Sequence, residues 1–265
     1  MSQGSNEHKK GWGGDPHVGG VGTRAGPKRK VHWADGRSAK EAARAWLTVS
    51  SPALPSEVAA ALATHSAFGT VADWVAEPEA RLPFDALGGE PRNTDLLVEA
   101  TDEHGPFLIA IEAKADEPFG ETVADALAAE LERKLVNQRS RGVERIQQLA
   151  ALLGERRKGE VHLKDVRYQL LTALAGVAAA AARRGDVRTL LLIQEFRTAK
   201  TTDDKHATNT TDLNAFVHRL THGAIARVET GSVYGPLTVN LGPEFGAASR
   251  IFVGKVSHDL RALTG

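Results

Sequence analysis

The segment from Asp95 to Lys114 constrains this chain most. Two apolar runs, Leu96-Leu-Val98 and Phe107-Leu-Ile-Ala-Ile111, flank the polar stretch Asp102-Glu-His-Gly105. Apolar runs of strand length on either side of a glycine-containing turn predict a β-hairpin, and the lack of polar alternation places it inside a buried sheet. If Asp102 to Gly105 closes the turn, Thr101 faces Pro106, paired residue numbers sum to 207, and Asp95 faces Glu112. Directly opposed residues share one face of a sheet, and alternate residues along a strand share it too, so Lys114 joins them.

Two carboxylates brought that close repel and desolvate at a cost that a divalent cation would offset. The chain has no cysteine, so the ligands are oxygens and the expected ion is a hard one, Mg²⁺ or Mn²⁺. Such an ion acidifies water and neutralises a scissile phosphate, while the Lys114 ammonium orients the nucleophile or stabilises the transition state, a combination suited to phosphodiester hydrolysis. The same three residues also fit a solvent-facing cross-strand salt bridge. A one-residue register slip would separate Asp95 from Glu112 and favour that alternative.

The rest of the chain reads as alternating helices and strands, which predicts an α/β sandwich. Ser38 and Glu41 form a capping box before a first helix, and a second helix starts near Ser56, so Glu41 and Glu57 lie in early helical turns. Helical patterns follow over about 121–138 and 142–153, the latter stopped by Gly154, and Asp165 is placed to cap a long helix reaching about Arg184. A strand is expected over Thr189–Phe196, an exposed loop over Thr198–Thr210, and a helix from about Asp212 to His222. Leu237–Leu241 and Ile251–Val256 are expected to add strands at a sheet edge.

Among 265 residues, 33 Lys and Arg balance 33 Asp and Glu, yet 73–130 carries 15 acids against 3 bases and 133–200 carries 15 bases against 6 acids. This asymmetry fits a metal site beside a phosphate-binding surface, or, more commonly, two solvated faces that neutralise each other. Residues 1–30 hold 8 glycines, 6 bases and almost nothing apolar, and are expected to form a disordered basic arm. They lack the apolar run of a signal peptide, so a cytoplasmic location is expected. The longest apolar stretch, Tyr168–Ala182, is 15 residues between arginines, too short to span a bilayer, and is read as a buried helix with no membrane partner.

Asp95, followed on the next strand by Glu112-Ala-Lys114, resembles the signature of the PD-(D/E)XK, or restriction-endonuclease-like, nuclease superfamily. Element order extends the likeness over about 38–197. The string Ile111-Glu-Ala-Lys-Ala-Asp-Glu-Pro-Phe-Gly120, with Arg167-Tyr-Gln-Leu-Leu171, is similar to an uncharacterised bacterial branch. Thr94 stands where the short form of the pattern has proline. The resemblance implies a core of helix, three strands, helix and strand, with a central mixed sheet flanked by helices, in a single domain over 31–265 whose C-terminal extension begins at about 198. It implies metal held by Asp95, Glu112 and the Ala113 carbonyl, with Glu57 or Glu41 from an early helix as an added ligand. Lys114 would assist the attacking water and Gln169 would complete the site. The implied partner is nucleic acid, with DNA the first expectation, and a homodimer follows by the same likeness. A second reading keeps the fold as a non-catalytic module binding nucleic acid or a protein; a third, an unrelated α/β hydrolase or lyase, lacks any Gly-x-Ser-x-Gly elbow or dinucleotide fingerprint.

Of the remaining candidates, Asp116 and Glu117 are read as capping the next helix. His218 and His222 are read as surface residues in preference to metal ligands, since no third ligand is evident. Arg133, Lys134, Arg139, Arg141 and Arg145 are placed either to contact phosphate or to form a solvated basic face.

Overall fold

A computed structural model describes residues 34–243 and 245–261. The predicted basic arm and its glycine run lie outside the described residues. Six strands form one mixed sheet: β1 (Asp73–Leu82), β2 (Arg92–Asp102), β3 (Gly105–Lys114), β4 (Arg188–Arg197), β5 (Ser232–Asn240) and β6 (Ala247–Asp259), in the order β1-β2-β3-β4-β6-β5. The strands β1, β2 and β3 run antiparallel in sequence, β3, β4 and β6 run parallel, and β5 closes the far edge antiparallel to β6.

The helices α1 (Ser38–Leu47) and α2 (Ser56–Leu62) cover one face, and α3 (Val123–Val136), α4 (Gly142–Ala151), α5 (Tyr168–Arg183) and α6 (Asp203–Leu220) contribute to the other. Side chains alternate faces along a strand, so Leu96, Val98, Ile109, Ile111, Leu190 and Leu192 pack with α1 and α2, while Leu97, Leu108, Ala110, Leu191 and Ile193 pack with α5. Burial on both faces explains why β3 and β4 are almost continuously apolar. Of the 12 buried residues of α5, six are alanine and one is glycine, which lets it lie close against the sheet. Among the described residues no helix is long and apolar enough to cross a membrane.

The hairpin has the expected register, with Leu96 opposite Ile111 and Thr101 opposite Pro106. Several local expectations need correction. Ser38 is the first helical residue and makes no cap hydrogen bond; Glu41 instead accepts from the Gly36 amide at 2.7 Å. Asp165 ends a short 3₁₀ turn and α5 begins after Arg167. Asp116 and Glu117 do not cap α3, because Thr122 and Asp125 form a reciprocal capping box there. The Thr198–Thr210 stretch is only partly loop: α6 starts at Asp203, with Thr202 accepting from the Lys205 amide and two aspartates in its first turn. β6 is an interior strand between β4 and β5. The strand β1 carries no simple apolar alternation, since Pro78 and three acids interrupt it, as suits a sheet edge.

Candidate active site

The open end of the β2–β3 hairpin gathers four charged side chains on the face covered by α5. Thr94 Oγ1 donates to the Ile111 carbonyl at 2.9 Å, fixing the strand end from which Asp95 projects. Asp95 Oδ2 in turn accepts from the Ala113 amide at 2.7 Å. Glu112 is 2% exposed and both its oxygens are engaged: Lys114 Nζ, at 2.9 Å, and Gln169 Nε2 donate to Oε1, and Arg92 Nη2 donates to Oε2.

One further element, α5, brings in Gln169 and packs against Arg92. Gln169 sits in the first turn of α5, whose start is tied to the segment just before α3 by Tyr168 donating to the Glu121 carbonyl at 3.0 Å and Arg167 to the Gly120 carbonyl at 3.0 Å. Arg92 opens β2 and lies under Gly176 of α5, where a Cβ would meet Leu82 Cβ at 3.1 Å and Arg92 Cβ at 3.4 Å. Glycine there permits the close approach that holds the Arg92 stem against the helix.

Burial and the Glu112 charge push Asp95 up to about 7, against the opposing pull of Lys114, the Ala113 amide and Arg92. Burial also works against ionising Glu112, but Lys114 and Arg92 outweigh it and hold that carboxyl below its ordinary range. Burial would neutralise Lys114, yet Glu112 and Asp95 keep it above its ordinary value. Lys114 is therefore a firm ammonium, a donor in place of a base, and its Nζ also lies 5.3 Å from the Phe119 ring centre. The proton that moves most readily near neutrality belongs to Asp95.

Asp95, Glu112, Lys114 and Gln169 thus come together. Glu57 and Glu41 do not join them, because α1 and α2 pack on the opposite face of the sheet. Glu57 instead accepts from Gln194 Nε2 at 3.1 Å and lies 3.3 Å from His258 Nδ1, while Gln194 accepts from Trp46 Nε1 at 3.0 Å. Glu41 is taken up by Gly36 and Arg44. His222 pairs with Glu160 at 3.0 Å. Among the described residues no three His, Asp or Glu side chains form a metal-holding group, His218 and His222 included.

The basic stretch after the motif largely pairs with acids: Arg133 with Glu130 at 2.6 Å, Lys134 with Glu144 at 2.9 Å, Arg141 with Glu144 at 3.6 Å and Arg145 with Asp85 at 2.6 Å. That pairing accords with neutralising faces. Sequence reasoning missed Arg92, whose only signal was a lone arginine three residues before Asp95.

The sheet and this cluster define an α/β protein built around two buried-end carboxylates, a lysine and an arginine. Over residues 23–248 the chain matches the family described as Domain of unknown function (DUF6946), and it belongs to that family. No curated protein and no solved structure matches it.

Proposed function

We propose that the protein is a metal-dependent nuclease of the restriction-endonuclease-like kind, hydrolysing phosphodiester bonds of nucleic acid at the open end of the β2–β3 hairpin. The observation that carries the reading is the convergence of Asp95, Glu112 and Lys114 on one sheet face, with Gln169 delivered by the following long helix. Element order supports it, since helices, three antiparallel strands, helices and a parallel fourth strand follow one another as the resemblance implies.

The residues fit a hard cation. Asp95 is a carboxylate that burial and Glu112 leave short of positive charge, and its proton is the one an ion would replace. Glu112 would serve as a ligand through Oε2, the oxygen now paired with Arg92. Asp95, Glu112 and the Ala113 carbonyl would hold Mg²⁺ or Mn²⁺, which when bound supplies an acidified water and charge neutralisation at phosphate. Lys114 would donate to the attacking oxygen or to the phosphoryl oxygens, Gln169 would hold Glu112 in place, and the Arg92 guanidinium would be available to pair with phosphate.

The test is cleavage of labelled duplex DNA, single-stranded DNA and RNA in Mg²⁺ or Mn²⁺ by wild type, Glu112→Gln and Lys114→Ala. Activity in wild type that falls by about 10²-fold or more in both variants, with folding intact, is expected. No cleavage of any substrate by wild type would overturn the reading. One observation favours the second, non-catalytic reading: the Lys114 side chain is only 5% exposed and both Glu112 oxygens are filled. That reading predicts nucleic-acid binding unchanged in Lys114→Ala and no cleavage.

A further inference from the structure

A second polar cluster lies one strand away from Lys114. The strands β3, β4 and β6 are parallel, with Glu195 the register partner of Lys114 and Lys255 that of Ile193, so Lys114, Glu195 and Lys255 share a sheet face near the strands' C-terminal ends. Binding sites of parallel sheets lie at those ends. The Glu195 side chain is 1% exposed, Lys255 Nζ is 3.3 Å from its Oε2, and His206 Nδ1 is 2.7 Å from the same oxygen. Lys255 Nζ also donates to Thr210 Oγ1 at 2.7 Å.

Three features give this cluster a role beyond packing. One lysine already balances the buried glutamate charge, yet an imidazole is also brought against it, and neither Glu195 oxygen accepts a well-formed hydrogen bond. Nδ1 is buried and faces Glu195, while the His206 side chain as a whole is 26% exposed, so Nε2 is the ring nitrogen not taken up by that contact. A carboxylate 2.7 Å from Nδ1 on a buried side chain fixes where the ring sits. Finally, the first turns of α6 and Thr201 just before it are fastened to the segment that follows Lys114. Asn209 Nδ2 donates to the Glu117 carbonyl at 3.0 Å, Lys205 pairs with Asp116 at 3.5 Å, and Thr201 Oγ1 donates to the Ala115 carbonyl at 2.9 Å.

We propose that His206 is the proton donor to the leaving oxygen at the site, with Glu195 and Lys255 as its positioning residues; this rests on the nuclease reading. As the water oxygen bonds to phosphorus and its proton passes to solvent, the phosphorus–oxygen bond to the leaving nucleoside breaks and its electron pair stays on that oxygen. The leaving oxygen takes the proton from His206 Nε2, and the neutral ring regains one from solvent. The hairpin cluster handles attack, and His206 handles departure.

The test uses full-length protein and the polynucleotide that wild type cleaves, beside the same substrate with sulfur replacing the leaving oxygen at a mapped cleavage position. A thiolate leaves without protonation, so it bypasses the donor. His206→Asn keeps an amide N–H towards Glu195 but has no atom at Nε2; His206→Gln serves as the second variant, and both are checked for wild-type folding by circular dichroism. Expected is a loss of about 10²-fold or more on the oxygen substrate and a rate within about threefold of wild type on the sulfur substrate. Unchanged rates on both substrates, or equal losses on both, would overturn the assignment while Glu112-dependent cleavage by wild type leaves the nuclease reading standing. Absence of Glu112-dependent cleavage overturns both.

Discussion

The two ends of the β2–β3 hairpin bury charge in opposite ways. At the turn, Asp102 meets one guanidinium in a two-pronged pair, with Arg188 Nη1 at 2.9 Å from Oδ2 and Nη2 at 2.6 Å from Oδ1. The Gly69 and His104 amides donate to the same carboxylate at 2.9 and 2.8 Å, and Arg188 also donates to the Gly105 carbonyl at 2.5 Å. Its guanidinium lies 5.2 Å from the Phe107 ring centre and 5.7 Å from that of Phe68. One charge answers one charge, and the arrangement pins the turn to β4. At the open end two carboxylates share a lysine and an arginine, and one of them is pushed up to about 7. The turn-end pair is structural; at the open end both cations pair with Glu112 and Asp95 is held by a backbone amide, and it is there that the proposed cation would bind.

The largest expected effect breaks the turn end. Arg188→Met leaves Asp102 buried without its partner and should cost about 3–5 kcal/mol in chemical unfolding, whereas Asp95→Asn, at the other end of the same strand, should leave stability equal or higher at pH 8. An equal loss in the two variants would erase the distinction between the ends.

The pH dependence sharpens the contrast because the signs differ. Asp95 titrates at about 7 in the fold against an ordinary 3.8, so the folded chain binds more protons between those values and its contribution to stability falls as pH rises from about 4 to about 7. Burial also works against ionising Asp102, but Arg188 and the Gly69 and His104 amides outweigh it and hold the carboxyl below 3.8. Its contribution is therefore present above that value and is lost as pH falls through the lower folded value. Asp95→Asn should melt roughly 2–4 °C above wild type at pH 8 and match it near pH 4, measured by scanning calorimetry. A difference that grows towards acid would reverse the assigned sign.

The smallest effect concerns Arg92, which pairs with Glu112 and, under the proposed metal site, would compete with the ion for it. Arg92→Gln should tighten Mn²⁺ binding by about three- to tenfold in a calorimetric titration; weaker binding would make Arg92 a support of the site and not its competitor.

The hairpin was legible because a period of two and a glycine turn together define which residues oppose, and Asp95, Glu112 and Lys114 follow from that register. Gln169 came from a resemblance and not from any pattern in the helix. Arg92 was hidden because its place depends on how closely α5 approaches at Gly176, a matter of packing between distant segments. Glu195, Lys255 and His206 were hidden for a related reason: the parallel register of β3, β4 and β6 spans long crossovers and leaves no local mark. The strand β1 escaped because an edge strand tolerates the proline and charges that sequence patterns treat as loop. Glu57 came from the resemblance and its place in an early helical turn, and only the layering shows it facing away from Glu112.

The most direct measurement is Mn²⁺ titration by isothermal calorimetry of wild type, Asp95→Asn and Glu112→Gln at one pH. One ion bound per chain by wild type, with binding weakened at least about tenfold in each variant, is the predicted result. Undetectable binding to wild type, or binding that neither substitution alters, would contradict a cation site at the open end of the hairpin.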